Sequence, residues 1–149
     1  MSIKHHNQFD IGIVVPCYNE MDRIQLSEFS QFLSSNDSIF FCFVNDGSTD
    51  GTHQKLADFV NRNPERCQVI NLSDNQGKAE AVRQGINTML KTSKYKFVGY
   101  WDADLATPLA EIPVFIEKFQ SNKELNAVCG SRILRLGSSI RRSVFRHYL

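Results

Sequence analysis

The sequence has no C-x-x-C pair, no apolar run long enough to cross a bilayer, and no acidic residue after Glu124. Its four cysteines (Cys17, Cys42, Cys67 and Cys129) are widely spaced, which excludes the usual zinc patterns. Three of them sit in or beside apolar runs, where a free cysteine behaves as a small buried hydrophobe and suits a reducing cytoplasm. The longest apolar runs, Ile11–Val15 and Ile39–Val44, fall far short of the roughly 20 residues a spanning helix needs. Residues 1–10 are polar and lack the apolar core of a signal peptide, so residues 1–9, with the His5–His6 pair, read as a flexible terminus.

Three phosphate and nucleophile motifs are also missing. A P-loop needs Gly five residues before the Gly-Lys pair and Ser or Thr after it, but Gly77-Lys78 has Leu72 and Ala79 there. No G-x-G-x-x-G follows the first apolar run, which excludes the standard dinucleotide fingerprint. No G-x-S-x-G elbow is present, so a hydrolase of that kind lacks its nucleophile.

What remains is an ordinary globular composition: 149 residues, 42% apolar and 22% charged, enough for one domain with a real core. A net charge of +1 gives no reason to expect a nucleic-acid partner. The charge is unevenly placed. The first 124 residues hold 12 basic and 16 acidic side chains, net −4, and the last 25 hold only Arg132, Arg135, Arg141, Arg142 and Arg146.

Hydrophobic periodicity alternates along the chain. Strand patterns at Ile11–Pro16, Ile39–Val44, Gln68–Leu72, Lys96–Trp101 and Ala127–Cys129 are separated by helical patterns at 20–33, 52–62, 77–90 and 109–119. Alternating strands and helices with buried strands predict an α/β domain with a mostly parallel sheet flanked by helices. In such sheets ligands bind beyond the carboxyl ends of the strands. Four successive strand ends run into polar clusters: Pro16–Glu20, Asn45–Ser48, Ser73–Lys78 and Asp102–Asp104. Any one of these is an ordinary capped turn; four together predict a binding edge.

Asp102-Ala103-Asp104 is the sharpest of these signals. In an extended segment residues i and i+2 share a face, roughly 6.5–7 Å apart. Two hard carboxylates so placed suit Mg²⁺ or Mn²⁺, with water and phosphate oxygens filling the other positions. The alternative is a solvated turn before the helix that starts near Pro108.

The order Pro16-Cys17-Tyr18-Asn19-Glu20, Val44–Thr52, Asn75-Gln76-Gly77-Lys78, Asp102-Ala103-Asp104 and Gly130-Ser131-Arg132 resembles the family-2 glycosyltransferases, with their Rossmann-like GT-A nucleotide-sugar-binding fold. Within that family, Asp102–Thr107 and Gly130–Arg146 are most similar to polyprenyl-phosphate sugar transferases, in particular the dolichyl-phosphate glucose synthases. The resemblance covers Ile11 to Leu149. It implies that Pro16, Tyr18 and Glu20 line a nucleoside pocket and that Asp46 accepts a hydrogen bond from the base. Lys78 would reach the ribose or diphosphate, Asp102 the ribose or metal, and Asp104 would coordinate the metal. Arg132 would fork onto phosphate, with Arg142 and Arg146 behind it as acceptor-phosphate contacts. Asn45 stands where the family often has a first aspartate, and Ala106 where some relatives carry a metal-binding glutamine.

The implied reaction is a metal-assisted, inverting transfer of a hexose from a nucleoside-diphosphate sugar, UDP-glucose before GDP-mannose, to a polyprenyl or dolichyl phosphate or another glycan acceptor. The implied setting is cell-envelope glycan synthesis in the cytoplasm, peripheral at the membrane face. Residues 132–149 hold no carboxylate to serve as base for a sugar hydroxyl, whereas a lipid phosphate arrives ionised. Family members continue beyond the equivalent of Leu149, so residues 1–149 are expected to be one catalytic, donor-binding domain lacking its C-terminal part. A nucleotide-binding module without turnover is the alternative, and a sugar nucleotidyltransferase a lower one.

Overall fold

The computed structural model describes residues 9–130. In chain order the elements are β1 (Phe9–Cys17), α1 (Leu26–Ser34), β2 (Ile39–Asp46), α2 (Thr52–Arg62), β3 (Cys67–Leu72), α3 (Lys78–Leu90) and β4 (Tyr95–Tyr100). A single 3-10 turn, Leu109–Glu111, then leads into α4 (Ile112–Ser121). The four strands form one parallel sheet in the order β3-β2-β1-β4.

Period-two alternation in the strands builds two cores. Ile11, Ile13, Val15 and Cys17 of β1, with Ile39, Phe41 and Phe43 of β2, face one side. There they meet Phe29 and Leu33 of α1, Leu56 and Phe59 of α2, and Ile112 and Ile116 of α4. Val14, Phe40, Cys42 and Val44 face the other side and meet Ala81 and Met89 of α3. Gly85 lets α3 sit tightly on the sheet: a Cβ there would lie 2.5 Å from Val14 Cγ1.

This division follows from connectivity. The chain steps outward from β1 to β2 to β3, then returns past β2 and β1 to β4. Right-handed crossovers in opposite directions put their helices on opposite faces. The reversal leaves a switch point at the border of β1 and β4, where open α/β sheets form their crevice.

Two sequence expectations change. Residues 20–25 lie outside α1 and form a separate turn, in which the Arg23 and Ile24 N–H groups donate to the Glu20 carbonyl at 3.0 and 2.9 Å. The Glu20 N–H donates to Thr52 Oγ1 at 2.8 Å and the Met21 N–H to Asp50 Oδ2 at 3.2 Å. Asn19 is in the left-handed region at φ 50°. Residues 127–129 form no strand, having no ladder partner among the described residues.

Candidate functional site

A cleft of about 420 Å³ opens at the carboxyl ends of the strands, lined by Pro16, Tyr18, Glu20, Asp46, Lys78, Asp102 and Asp104 among others. These are all the sequence-predicted site residues within the described part. A second cavity of about 500 Å³, between α1 and the 3-10 turn, shares only Asp104 with them. The smaller cleft is therefore the candidate site. Arg132, Arg142 and Arg146 lie outside the described residues.

The β1 wall is set by the left-handed turn at Asn19. Its backbone N–H donates to Ser48 Oγ at 3.0 Å, while its side-chain carbonyl accepts the Thr49 N–H at 2.9 Å. Lys55 adds a bond to the Met21 carbonyl at 2.6 Å. The turn leaves Tyr18 with 43% of its surface exposed at the cleft, an apolar ring face available for stacking.

Glu20 has one oxygen in an ion pair with Arg23 at 2.8 Å. Its other oxygen, Oε2, is buried without a hydrogen-bond partner among the described residues. Burial pushes the carboxyl above its ordinary range; the nearby Asp104 and Asp50 charges add to the rise, and Arg23 opposes it. An unmet buried acceptor is costly by itself. On a cleft wall it is a natural receiver for a hydroxyl or amide donor of a ligand.

Asp46, at the end of β2, is 2% exposed. Both its oxygens are used by the loop before α3: Gln76 N–H donates to Oδ1 at 2.8 Å and Gly77 N–H to Oδ2 at 2.9 Å. A carboxylate there also meets the positive end of the α3 dipole. Asp46 thus shapes the cleft, and each oxygen keeps a lone pair for a further donor. Asn45 beside it accepts from Ser48 N–H at 3.3 Å and donates to Asn71 Oδ1 at 3.1 Å. Its amide thus ties the loop after β2 to β3, accepting at one end and donating at the other, a double role a carboxylate could not fill.

The β4 wall departs from the extended geometry expected for Asp102 and Asp104. The strand ends at Tyr100, and residues 102–105 close a turn in which Leu105 N–H donates to the Asp102 carbonyl at 3.3 Å. Leu105 takes a φ of 51°. Trp101 anchors this turn: its backbone N–H donates to the Val14 carbonyl at 2.9 Å and its indole N–H to the Thr107 carbonyl at 2.8 Å. The indole also packs edge-to-face on Phe115. Asp104 Oδ1 accepts the Ala106 N–H at 3.0 Å and Asp102 Oδ1 pairs with Lys78 Nζ at 2.6 Å. Among the described residues, the second oxygen of each aspartate has no protein partner.

These donors fit a hard divalent cation of the Mg²⁺ or Mn²⁺ kind, which is normally held by one or two carboxylates with phosphate and water completing the shell. Among the described residues no three His, Cys, Asp or Glu side chains converge into a closed cage. Ala106 contributes only its backbone. Cys17 also borders the cleft, but its side chain is buried in the core, donates to the Val15 carbonyl and has its thiol pushed well above the ordinary range by burial, the setting of an inert thiol.

Comparison with known proteins bears on this geometry. The model of the family described as glycosyl transferase family 2 matches residues 12–147. A poly-beta-1,6-N-acetyl-D-glucosamine synthase of Staphylococcus epidermidis is 31% identical over 137 residues, covering 92% of this chain and 32% of the relative. The Staphylococcus aureus protein of that description is 31% identical over 130 residues, covering 87% of this chain and 30% of its own. The chain thus spans about a third of the length of these curated relatives. Among solved structures, a Pyrobaculum calidifontis mannosyltransferase in complex with GDP-Man and Mn²⁺ matches at a TM-score of 0.55 and 25% identity, over 70% of this chain and 30% of that one. A fragment of S. aureus TarS in complex with UDP also matches at 0.55 and 25%, over 75% of this chain and 33% of that one.

Proposed function

This chain belongs to glycosyl transferase family 2, and with its GT-A arrangement of parallel strands and flanking helices as the starting point we propose that its cleft binds a nucleoside-diphosphate sugar for glycosyl transfer. The observation that carries this reading is the convergence of Tyr18, Glu20, Asp46, Lys78, Asp102 and Asp104 on one cleft at the β1/β4 switch point. An aromatic face, buried acceptors, a lysine and two metal-type carboxylates are the chemistry that base, ribose and diphosphate require.

The roles follow from placement. Tyr18 stacks on the base or ribose, and Asp46 and Glu20 accept hydrogen bonds from nucleoside donors. Lys78 neutralises diphosphate oxygens as a compact charge. Asp102 and Asp104 hold Mg²⁺ or Mn²⁺, which when bound supplies charge stabilisation to the departing diphosphate. Arg132 adds a forked phosphate contact in this reading. Transfer is a direct displacement that inverts the anomeric carbon, with leaving-group stabilisation as the main catalytic contribution.

For the donor we propose a UDP-hexose, glucose on the branch resemblance and N-acetylglucosamine on the similarity to the staphylococcal synthases. The mannosyltransferase structure with GDP-Man makes GDP-mannose the competitor. For the acceptor, a polyprenyl phosphate at the cytoplasmic membrane face is supported by the arginines after Glu124. A glycan hydroxyl is the second reading, supported by similarity to the polysaccharide synthases. Incubation with labelled UDP-glucose, UDP-N-acetylglucosamine or GDP-mannose, with polyprenyl phosphate or oligosaccharide, distinguishes these. Labelled lipid supports the first acceptor and an extended glycan the second. Nucleotide binding without product reduces the chain to a donor-binding module, and no nucleotide binding overturns the proposal.

A further inference from the structure

Lys78 and Asp102 come from different elements, the first residue of α3 and the turn after β4, yet their charged ends meet at 2.6 Å. The pair lies on the cleft wall, with the lysine side chain 58% and the aspartate side chain 41% exposed. The ammonium also stands 5.7 Å from the centroid of the Tyr100 ring. It is thus held by a carboxylate on one side and an aromatic face on the other.

Deepening the donor-binding reading, on which it rests, we propose that Lys78 is an internal counter-ion of the unliganded site. It holds Asp102 until the diphosphate of the donor takes it over, so that a divalent cation gains Asp102 fully only once nucleotide is present. The physical case starts from repulsion: Asp102 and Asp104 share a cleft with the buried acceptor of Glu20, and a cation alone would be drawn there. Lys78 already satisfies one of the two carboxylates, so a metal arriving alone must displace an ammonium or share its aspartate with it. Two cations on one carboxylate oppose each other.

A diphosphate changes this balance. It offers the ammonium several anionic oxygens within reach of a flexible four-carbon stem. Because the pair is solvent-exposed, its own strength is modest and the exchange is inexpensive. The consequence is ordered loading: nucleotide and cation raise each other's affinity, and part of that coupling passes through Lys78. Coupling of this kind is reciprocal.

The test counts free Mn²⁺ by electron paramagnetic resonance during titration of wild type, Lys78→Met and Lys78→Arg, each with and without UDP or GDP. Circular dichroism verifies the fold, and Lys78→Gln serves if the methionine variant does not fold. Without nucleotide, Lys78→Met is expected to bind Mn²⁺ about threefold to tenfold more tightly than wild type. The nucleotide should then raise Mn²⁺ affinity by a smaller factor in Lys78→Met than in wild type, with Lys78→Arg close to wild type. Unchanged or weaker Mn²⁺ binding in folded Lys78→Met, or an equal nucleotide effect, overturns the counter-ion. If neither nucleotide alters Mn²⁺ binding to wild type, the donor-binding reading falls and takes the counter-ion with it.

Discussion

The backbone N–H of Gly77 donates to Oδ2 of Asp46 at 2.9 Å, across 31 residues of sequence. With the Gln76 bond to the other oxygen, one buried carboxylate fixes both the end of β2 and the start of α3. Replacing it by alanine leaves the Gln76 N–H without its acceptor, while the Gly77 N–H keeps Asn75 Oδ1 at 2.9 Å. We predict that Asp46→Ala loses about 1–3 kcal/mol of stability and more than tenfold in nucleotide affinity. Urea denaturation and nucleotide titration check both, and wild-type stability in the variant would contradict the assignment.

Gly47 and Gly77 both have positive φ, 64° and 89°, but their surroundings differ. A Cβ on Gly47 would lie 2.3 Å from the Asp74 carbonyl carbon and 2.4 Å from the Asn75 nitrogen, whereas one on Gly77 meets no atom of the described residues within 4 Å. Gly77, at φ 89° and ψ 153°, has an extended positive-φ backbone that is essentially restricted to glycine, so Gly77→Ala should cost that backbone strain alone, roughly 1–3 kcal/mol. Gly47→Ala should cost distinctly more, since backbone cannot step aside as a side chain can. Denaturation midpoints falling in the reverse order would show that the two loops are not packed as described.

Glu20 gives a pH-dependent prediction. Its folded carboxyl titrates above the ordinary value of 4.5, chiefly through burial. An acid with a raised folded pKa binds more protons folded than unfolded between the two values, so stability falls as pH rises through that window. The penalty is absent below the ordinary value and complete above the raised one. Glu20→Gln should therefore gain stability relative to wild type at neutral pH, with the gain shrinking as pH falls toward 4.5. Thermal melts across that range check it; a gain that grows on acidification contradicts the burial argument.

Strand ends were legible because strand polarity and the α/β pattern together place Pro16–Glu20, Asn45–Ser48, Ser73–Lys78 and Asp102–Asp104 at one edge. The details set by distant partners were not. Ile24 and Leu26 continue a helical apolar spacing through residues 20–25, but that stretch closes its own turn on the Glu20 carbonyl and is docked through the Glu20 and Met21 amides on Thr52 and Asp50. The sequence offers Asp46 as an acceptor for the base, but not its bonds to backbone some thirty residues away. The turn after Asp102 depends on a left-handed Leu105, for which leucine gives no sequence signal. The Lys78–Asp102 pair joins two elements whose separation only the sheet order fixes.

On the proposed function, this cleft binds a nucleoside diphosphate with the help of a cation on Asp102 and Asp104. Isothermal titration of UDP and GDP into wild type and Asp104→Asn, each with Mn²⁺ and with chelator, tests it most directly. Asp104→Asn keeps a side-chain acceptor for the Ala106 N–H, so the turn is preserved while the charge is removed. Mn²⁺ is expected to strengthen nucleotide binding to wild type at least tenfold, about 1.4 kcal/mol, with UDP favoured, and most of this gain should disappear in the variant. Equal metal-dependent affinity in wild type and Asp104→Asn would contradict it.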